Sequence, residues 1–134
     1  MPVNQSELTV RTAKRLEAID ISELINREVS ESGVRTGVCN LFVPHTTVAI
    51  TVNEHFDPNV PQDILMALEK VAPEDAHWGH PEGNAPAHVK STLISASITI
   101  PIRDGKLALG RWQGVYFMEL DGPRNRQILV TILS

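Results

Sequence analysis

Apolar and polar side chains alternate along Leu8-Thr9-Val10-Arg11-Thr12, the two-residue period of a half-buried strand. A second short strand is expected around Arg15-Leu16-Glu17-Ala18. The period then lengthens. Ile21, Leu24, Ile25 and Val29 fall on one face of a helix, opened by the capping-box pattern Asp20-Ile21-Ser22-Glu23. Gly33 is placed to supply a left-handed end. Val38 to Val43 and Val48 to Val52 are nearly continuous apolar runs, which read as strands buried on both faces. With only Pro44-His45-Thr46-Thr47 between them, they are expected to be antiparallel neighbours.

A second helical stripe, Val60, Ile64, Leu68 and Val71, ends before Pro73, with Asn59 to Gln62 as a further capping box and Pro61 in the first turn. Residues 72 to 86 carry no period. A loop of that length inside a domain is usually functional or disordered. This one contains His77, Trp78, His80, Glu82 and Asn84, a composition that favours an ordered loop over a site. Pro86 can open a third helix through Val89, Leu93 and Ile94. The remainder is strand-like: Ile98, Ile100 and Ile102 alternate, Pro101 marks an edge or bulge, and Asp104-Gly105 is a hairpin turn. Leu107 to Leu109, Gly114 to Leu120 and Gln127 to Leu133 follow, the last two separated by a turn at Asp121-Gly122-Pro123-Arg124.

Strands, helix, strands, helices and a closing run of strands do not make a βαβ alternation. The order predicts one α+β domain over residues 1–134, a mostly antiparallel two-layered sheet with about three helices. Exposed sheet edges would make an oligomer natural.

Composition narrows the function. A chain of 134 residues, 42% hydrophobic, can bury a core without staples. Net charge is −4, from 12 basic and 16 acidic residues, which argues against a general nucleic-acid binder. The lone Cys39 excludes an intrachain disulfide and reads as a buried, inert thiol. Met-Pro-Val-Asn-Gln-Ser-Glu is not a signal segment, and no apolar run approaches the roughly 20 residues that span a bilayer. A soluble, cytoplasmic protein without membrane contact is expected.

The candidate chemistry centres on three histidines. His80 and His88 flank Glu82, Gly83-Asn84 and Pro86, and His45 ends a strand-like run far upstream. Three neutral imidazoles with an open fourth position form a known catalytic zinc arrangement. Their spacing is not the i, i+4 pair of a helical motif, and each alone also reads as a hydrogen-bonded surface histidine. All three, however, stand at loop or element ends, where scaffolds present functional groups. His55 and His77 are less placed. Glu54 and Glu82 are the nearby carboxylates, suited to general acid/base work or simply to solvation in a loop. Asp57 and Asp63 read as cap or helix-surface residues. Asn84 precedes a helix N-terminus, which favours anions. Arg111 and Arg124 offer guanidinium forks for phosphate, or surface salt bridges. Trp112-Gln113 suits either stacking on a ring or core packing.

Several separated motifs resemble one family. Pro44-His45-Thr46-Thr47, Asn53-Glu54, the run from His80 through Lys90, Gly105 through Tyr116, and Glu119-Leu120-Asp121-Gly122-Pro123-Arg124 are similar to the YjbQ-like proteins. The resemblance covers Val38 to the C-terminus. It implies an α+β domain on a β-sandwich, assembled as a homotrimer. It also implies His45, His80 and His88 as metal ligands, with zinc the expected ion and magnesium the alternative. The implied activity is that of a secondary thiamine-phosphate synthase, a transferase joining a pyrimidine diphosphate to a thiazole phosphate. Thr47 stands where the family often has Ser, and Pro86 replaces a commonly acidic or polar residue; neither removes a proposed ligand. Two other readings remain: a zinc-dependent hydrolase of a phosphorylated small molecule, and a non-enzymatic trimeric binding module.

Overall fold

The computed structural model describes residues 3–134; Met1 and Pro2, part of the stretch read as lacking a signal segment, lie outside the described residues. The elements run β1 (Val3–Arg11), β2 (Glu17–Asp20), α1 (Ser22–Ser32), β3 (Thr36–Phe42), β4 (Val48–Glu54), α2 (Asn59–Val71), α3 (Ala85–Ile94), β5 (Ser97–Arg103), β6 (Lys106–Leu107), β7 (Gln113–Glu119) and β8 (Asn125–Leu133). Five strands form one sheet in the order β1-β8-β3-β5-β6, and three form another, β2-β7-β4. Every strand pair is antiparallel. The mixed α+β sandwich expected from the element order is therefore the observed architecture.

Alternation explains the layers. On β8, Ile128, Val130 and Ile132 point inward and are fully or almost fully buried, as do Cys39 and Leu41 on β3. They meet Val48, Ile50, Val115 and Phe117 of the small sheet, with Ile25 and Val29 of α1 completing the same core. Burying a side chain such as Phe117 or Ile128 contributes about 1.5–3 kcal/mol. The central strand β7 is buried on both faces. Its other face, Tyr116 and Met118, packs with Ala49, Leu120, Leu65 of α2 and Ala87 of α3. Thus α2 and α3 cover the small sheet, and the outer face of the large sheet is left open.

Three local expectations change. β3 and β4 are not neighbours: β3 pairs with β5 and β8, β4 with β7. The intervening segment carries the chain from one layer to the other. Only the start of β4 is buried on both faces; β3 alternates, and Phe42 is exposed. A short connection fits a sandwich corner as well as a hairpin, and here it is a corner. At α2 the box Asn59–Gln62 does not form. The Asp57 carboxylate instead accepts the Asn59 N–H at 2.9 Å, while Val71 is exposed. On α3, Leu93 is exposed and Lys90 is buried. The Lys90 ammonium pairs with Glu69 of α2, so its aliphatic stem, not Leu93, fills the gap between the helices. Helix α1 follows its pattern more closely. The Asp20 carboxylate accepts the Ser22 N–H at 2.9 Å, and Gly33 ends the helix at φ 75°. Asp104 and Gly105, both at positive φ, turn β5 into β6.

Candidate functional site

The histidine cleft opens at one end of the sandwich and has a volume of about 450 Å³. Three stretches distant in sequence supply its walls: the β3–β4 crossover (Pro44 to Thr47), the loop into α3 (His80, Glu82, Asn84) with His88 from the start of that helix, and the start of β8 with the turn before it (Arg124, Arg126). His45, His80 and His88 all face this one cleft, together with Glu82, Asn84 and Arg124.

His80 and His88 are closest, their rings edge to face with centroids 5.1 Å apart. The Glu82 carboxylate stands 4.0 Å from His80 Nε2. His45 is held differently: its Nε2 accepts the Gln127 backbone N–H at 2.9 Å. That bond requires a lone pair on Nε2, so the proton of the neutral ring sits on Nδ1. Partial burial and the nearby Arg126 charge lower the His45 pKa, favouring the neutral ring. Among the described residues, no three His, Cys, Asp or Glu side chains stand close enough together to hold an ion as they are arranged.

The floor is a buried ion pair that the sequence reading missed. Arg126 extends inward from β8 and Glu119 from β7, and both are almost wholly buried. The pair is bidentate: Arg126 Nε donates to Glu119 Oε1 at 2.9 Å and Nη2 to Oε2 at 2.6 Å. Nη2 also donates to Thr47 Oγ1 at 2.9 Å. Glu119 further accepts the Thr12 hydroxyl and the Leu120 and Asp121 N–H groups. Burial pushes the Glu119 pKa up, but the Arg126, Thr12 and Asp121 hydrogen bonds outweigh it and hold the carboxyl below its ordinary value. A signal was present. Arg126 is in phase with the inward Ile128, Val130 and Ile132, and a charged residue on an inward register needs a partner.

Around this floor the polar groups interlock. Asp121 accepts from Asn84 Nδ2 at 2.8 Å and from Arg124 Nη2 at 3.0 Å. Asn84 Oδ1 is buried without a partner among the described residues. It is an acceptor awaiting a donor.

Glu54 and Arg111 are not part of this arrangement. Glu54 closes the far end of β4, roughly 20 Å from Thr47 at about 3.3 Å per residue. There it lines a second cleft with Phe56, Asp57, Pro58 and Trp112. Arg111 stacks over the Trp112 ring, 5.0 Å from its centroid, and Trp112 is exposed rather than in the core. His55 is paired with Asp20 at 2.8 Å.

Charge decides what the histidine cleft can bind. The two guanidinium charges are matched by Glu119 and Asp121, and Glu82 adds a carboxylate at the wall. The cleft has hydrogen-bond donors for a phosphate but no net positive charge of its own. A divalent cation would supply it, and neutral imidazoles are suitable donors for one. The donor set therefore fits a metal in kind, with His45 needing to exchange its Gln127 contact to join.

Residues 6–134 match the family model described as UPF0047 protein YjbQ-like. A UPF0047 protein of Methanocaldococcus jannaschii is 47% identical over 125 residues, 93% of this chain and 91% of that protein. YugU of Bacillus subtilis is 40% identical, covering 95% and 97% of the two chains. Among solved structures, a YbjQ-like protein of unknown function from Sulfolobus solfataricus superposes with a TM-score of 0.95 at 38% identity, covering 99% of this chain and 98% of that one.

Proposed function

The chain belongs to the YjbQ-like UPF0047 family, and from that premise and the histidine cleft we propose a metal-dependent enzyme acting on a phosphorylated small molecule. The observation that carries this is the gathering of three histidines and two arginines on one cleft whose arginine charges are already matched by carboxylates. Its volume is in the range of small-molecule sites.

In this reading His80 and His88 hold the ion, zinc for an imidazole set, and His45 is the third ligand. When bound, the ion neutralises phosphate oxygens and polarises the phosphoryl group. Arg124, steadied by Asp121, presents its remaining N–H groups to the phosphate. Arg126 is fixed by Glu119 and contributes position more than reach. Glu82 takes or gives the proton beside His80. Asn84 Oδ1 accepts from a substrate hydroxyl or amine. Glu54 and Arg111 have no part in this cleft of a single chain.

For the reaction, we carry forward the thiamine-phosphate synthase transfer, in which the arginines would hold the pyrimidine diphosphate and its departing pyrophosphate. Hydrolysis of a phosphate ester is the second reading. The all-imidazole donor set favours it, because such sets suit zinc and water activation, whereas diphosphates pair best with magnesium and oxygen ligands. We assign the protein to the cytoplasm, where a single free thiol such as Cys39 is kept reduced. A homotrimer is also part of the proposal. The open face of the large sheet, where Phe42 and Leu133 are exposed, is its natural contact surface.

Metal analysis of protein purified without a histidine tag tests the central point. One ion per chain is expected, with affinity falling on the order of 100-fold or more in His80→Ala and His88→Ala. No stoichiometric ion, or equal binding by both variants, would leave the non-enzymatic binding module as the better description.

A further inference from the structure

A second cavity lies against the first. Its volume is about 500 Å³, and it shares His45, Thr46 and His88 with the histidine cleft. The histidines are thus a waist between two lobes. Beyond the waist, the new lobe is lined by Ser91, Thr92, Ser95 and Ala96.

The chemistry of the two lobes differs. The first holds Arg124 and Arg126, while the second, among the described residues, has no arginine, lysine or carboxylate. Apart from Thr46, which it shares with the first lobe, its hydroxyl protons are already committed: Ser91 donates to the Val48 carbonyl, Thr92 to the His88 carbonyl and Ser95 to the Ser97 carbonyl. What these hydroxyls retain is acceptor capacity. Such a surface offers phosphate no counter-charge and favours an uncharged group that donates, such as an alcohol.

The rim is built under strain. Ser95 has φ 112° and ψ 152°, a region essentially reserved for glycine. It is held there by its own N–H to the Ser91 carbonyl and by the Ile50 N–H to its carbonyl. A strained non-glycine residue on a cavity rim is where a functional constraint is expected.

We propose that the substrate spans both lobes: a phosphate monoester of an uncharged, hydroxyl-bearing alcohol. Its phosphate lies in the arginine lobe, its alcohol in the hydroxyl lobe, and the ester linkage at the histidine waist. This rests on the metal–phosphate reading and narrows it to a substrate class.

The test is calorimetric binding to zinc-loaded protein of two probes, inorganic phosphate and glycerol 3-phosphate. Wild-type protein should bind the ester more tightly. Thr92→Val, which removes one hydrogen-bonding group, and Ala96→Leu, which fills the lobe, both checked for folding by circular dichroism, should each weaken ester binding about fivefold while leaving inorganic phosphate within about twofold. Thr92→Val stands alone if Ala96→Leu does not fold. Equal affinity of both probes in the wild type, or equal losses in the variants, overturns the two-lobed site while leaving the phosphate site intact. Binding of inorganic phosphate but not of the ester likewise overturns the two-lobed site alone, whereas failure of both probes to bind wild-type protein overturns the metal–phosphate reading itself, and this inference with it.

Discussion

The two ends of β4 carry clefts of nearly equal volume, about 450 and about 460 Å³, built in opposite ways. At the far end, Glu54, Phe56, Asp57 and Pro58 come from one continuous turn, and Trp112 is the single distant contributor. Asp57 is exposed and Glu54 half-buried, and the hydrogen bonds serve the turn itself: the Glu54 carboxylate accepts the Asp57 N–H at 3.3 Å, and Asp57 caps α2. The near end draws on three separate stretches and rests on a desolvated Arg126–Glu119 pair with five hydrogen bonds to the carboxylate. Burying charge is costly unless every partner is in place. A cleft floored by such a pair is held in one geometry by the core, whereas one lined by a turn is held only by the turn.

The sharpest way to break this contrast is to remove the floor. Arg126→Ala should cost about 3–5 kcal/mol in urea unfolding, because Glu119 is left buried and unpaired. The double variant Arg126→Met with Glu119→Gln should recover part of that loss. The same pair sets an acid limit. With its folded pKa depressed, Glu119 contributes stability that is present above the unfolded carboxylate value, about 4.3, and lost as pH falls through the lower folded value. The acid-side drop in the urea midpoint should therefore shrink in the double variant.

Arg124→Ala is a smaller perturbation, since this guanidinium is more than half exposed. It should weaken phosphate binding about tenfold by removing one charge-assisted hydrogen bond, with Arg124→Lys intermediate and folding unchanged. Smallest of all are Glu54→Gln and Arg111→Ala at the far end. Each should change stability by no more than about 0.5 kcal/mol and leave metal content as in the wild type. A drop in metal content in either would mean that the two ends communicate, or that a neighbouring chain brings them together.

The contrast also marks what was legible in the sequence. Periodicity placed α1, the Ile98–Ile102 strand and the Asp104-Gly105 turn, because these are local choices. The histidine trio was legible as three residues at element ends, and the fold brings them to one cleft. Strand pairing was not legible: β3 and β4 are adjacent in sequence but lie in different layers, which depends on tertiary burial. Glu54 and Arg111 were grouped with the histidines by residue type, and the length of β4 separates them. Arg126 was overlooked because it opens an apolar run, although its register with Ile128 pointed it inward.

Phosphate titration of the untagged protein with and without zinc tests the account most directly. The cleft supplies donors for phosphate, but its arginine charges are already matched by Asp121 and Glu119, so inorganic phosphate should bind at least about tenfold more tightly once zinc is bound. That gain should vanish in His80→Ala and persist in Glu54→Gln. Equal phosphate affinity with and without zinc, or a gain that survives His80→Ala, would contradict the claim that the histidine cleft is a metal-assisted phosphate site.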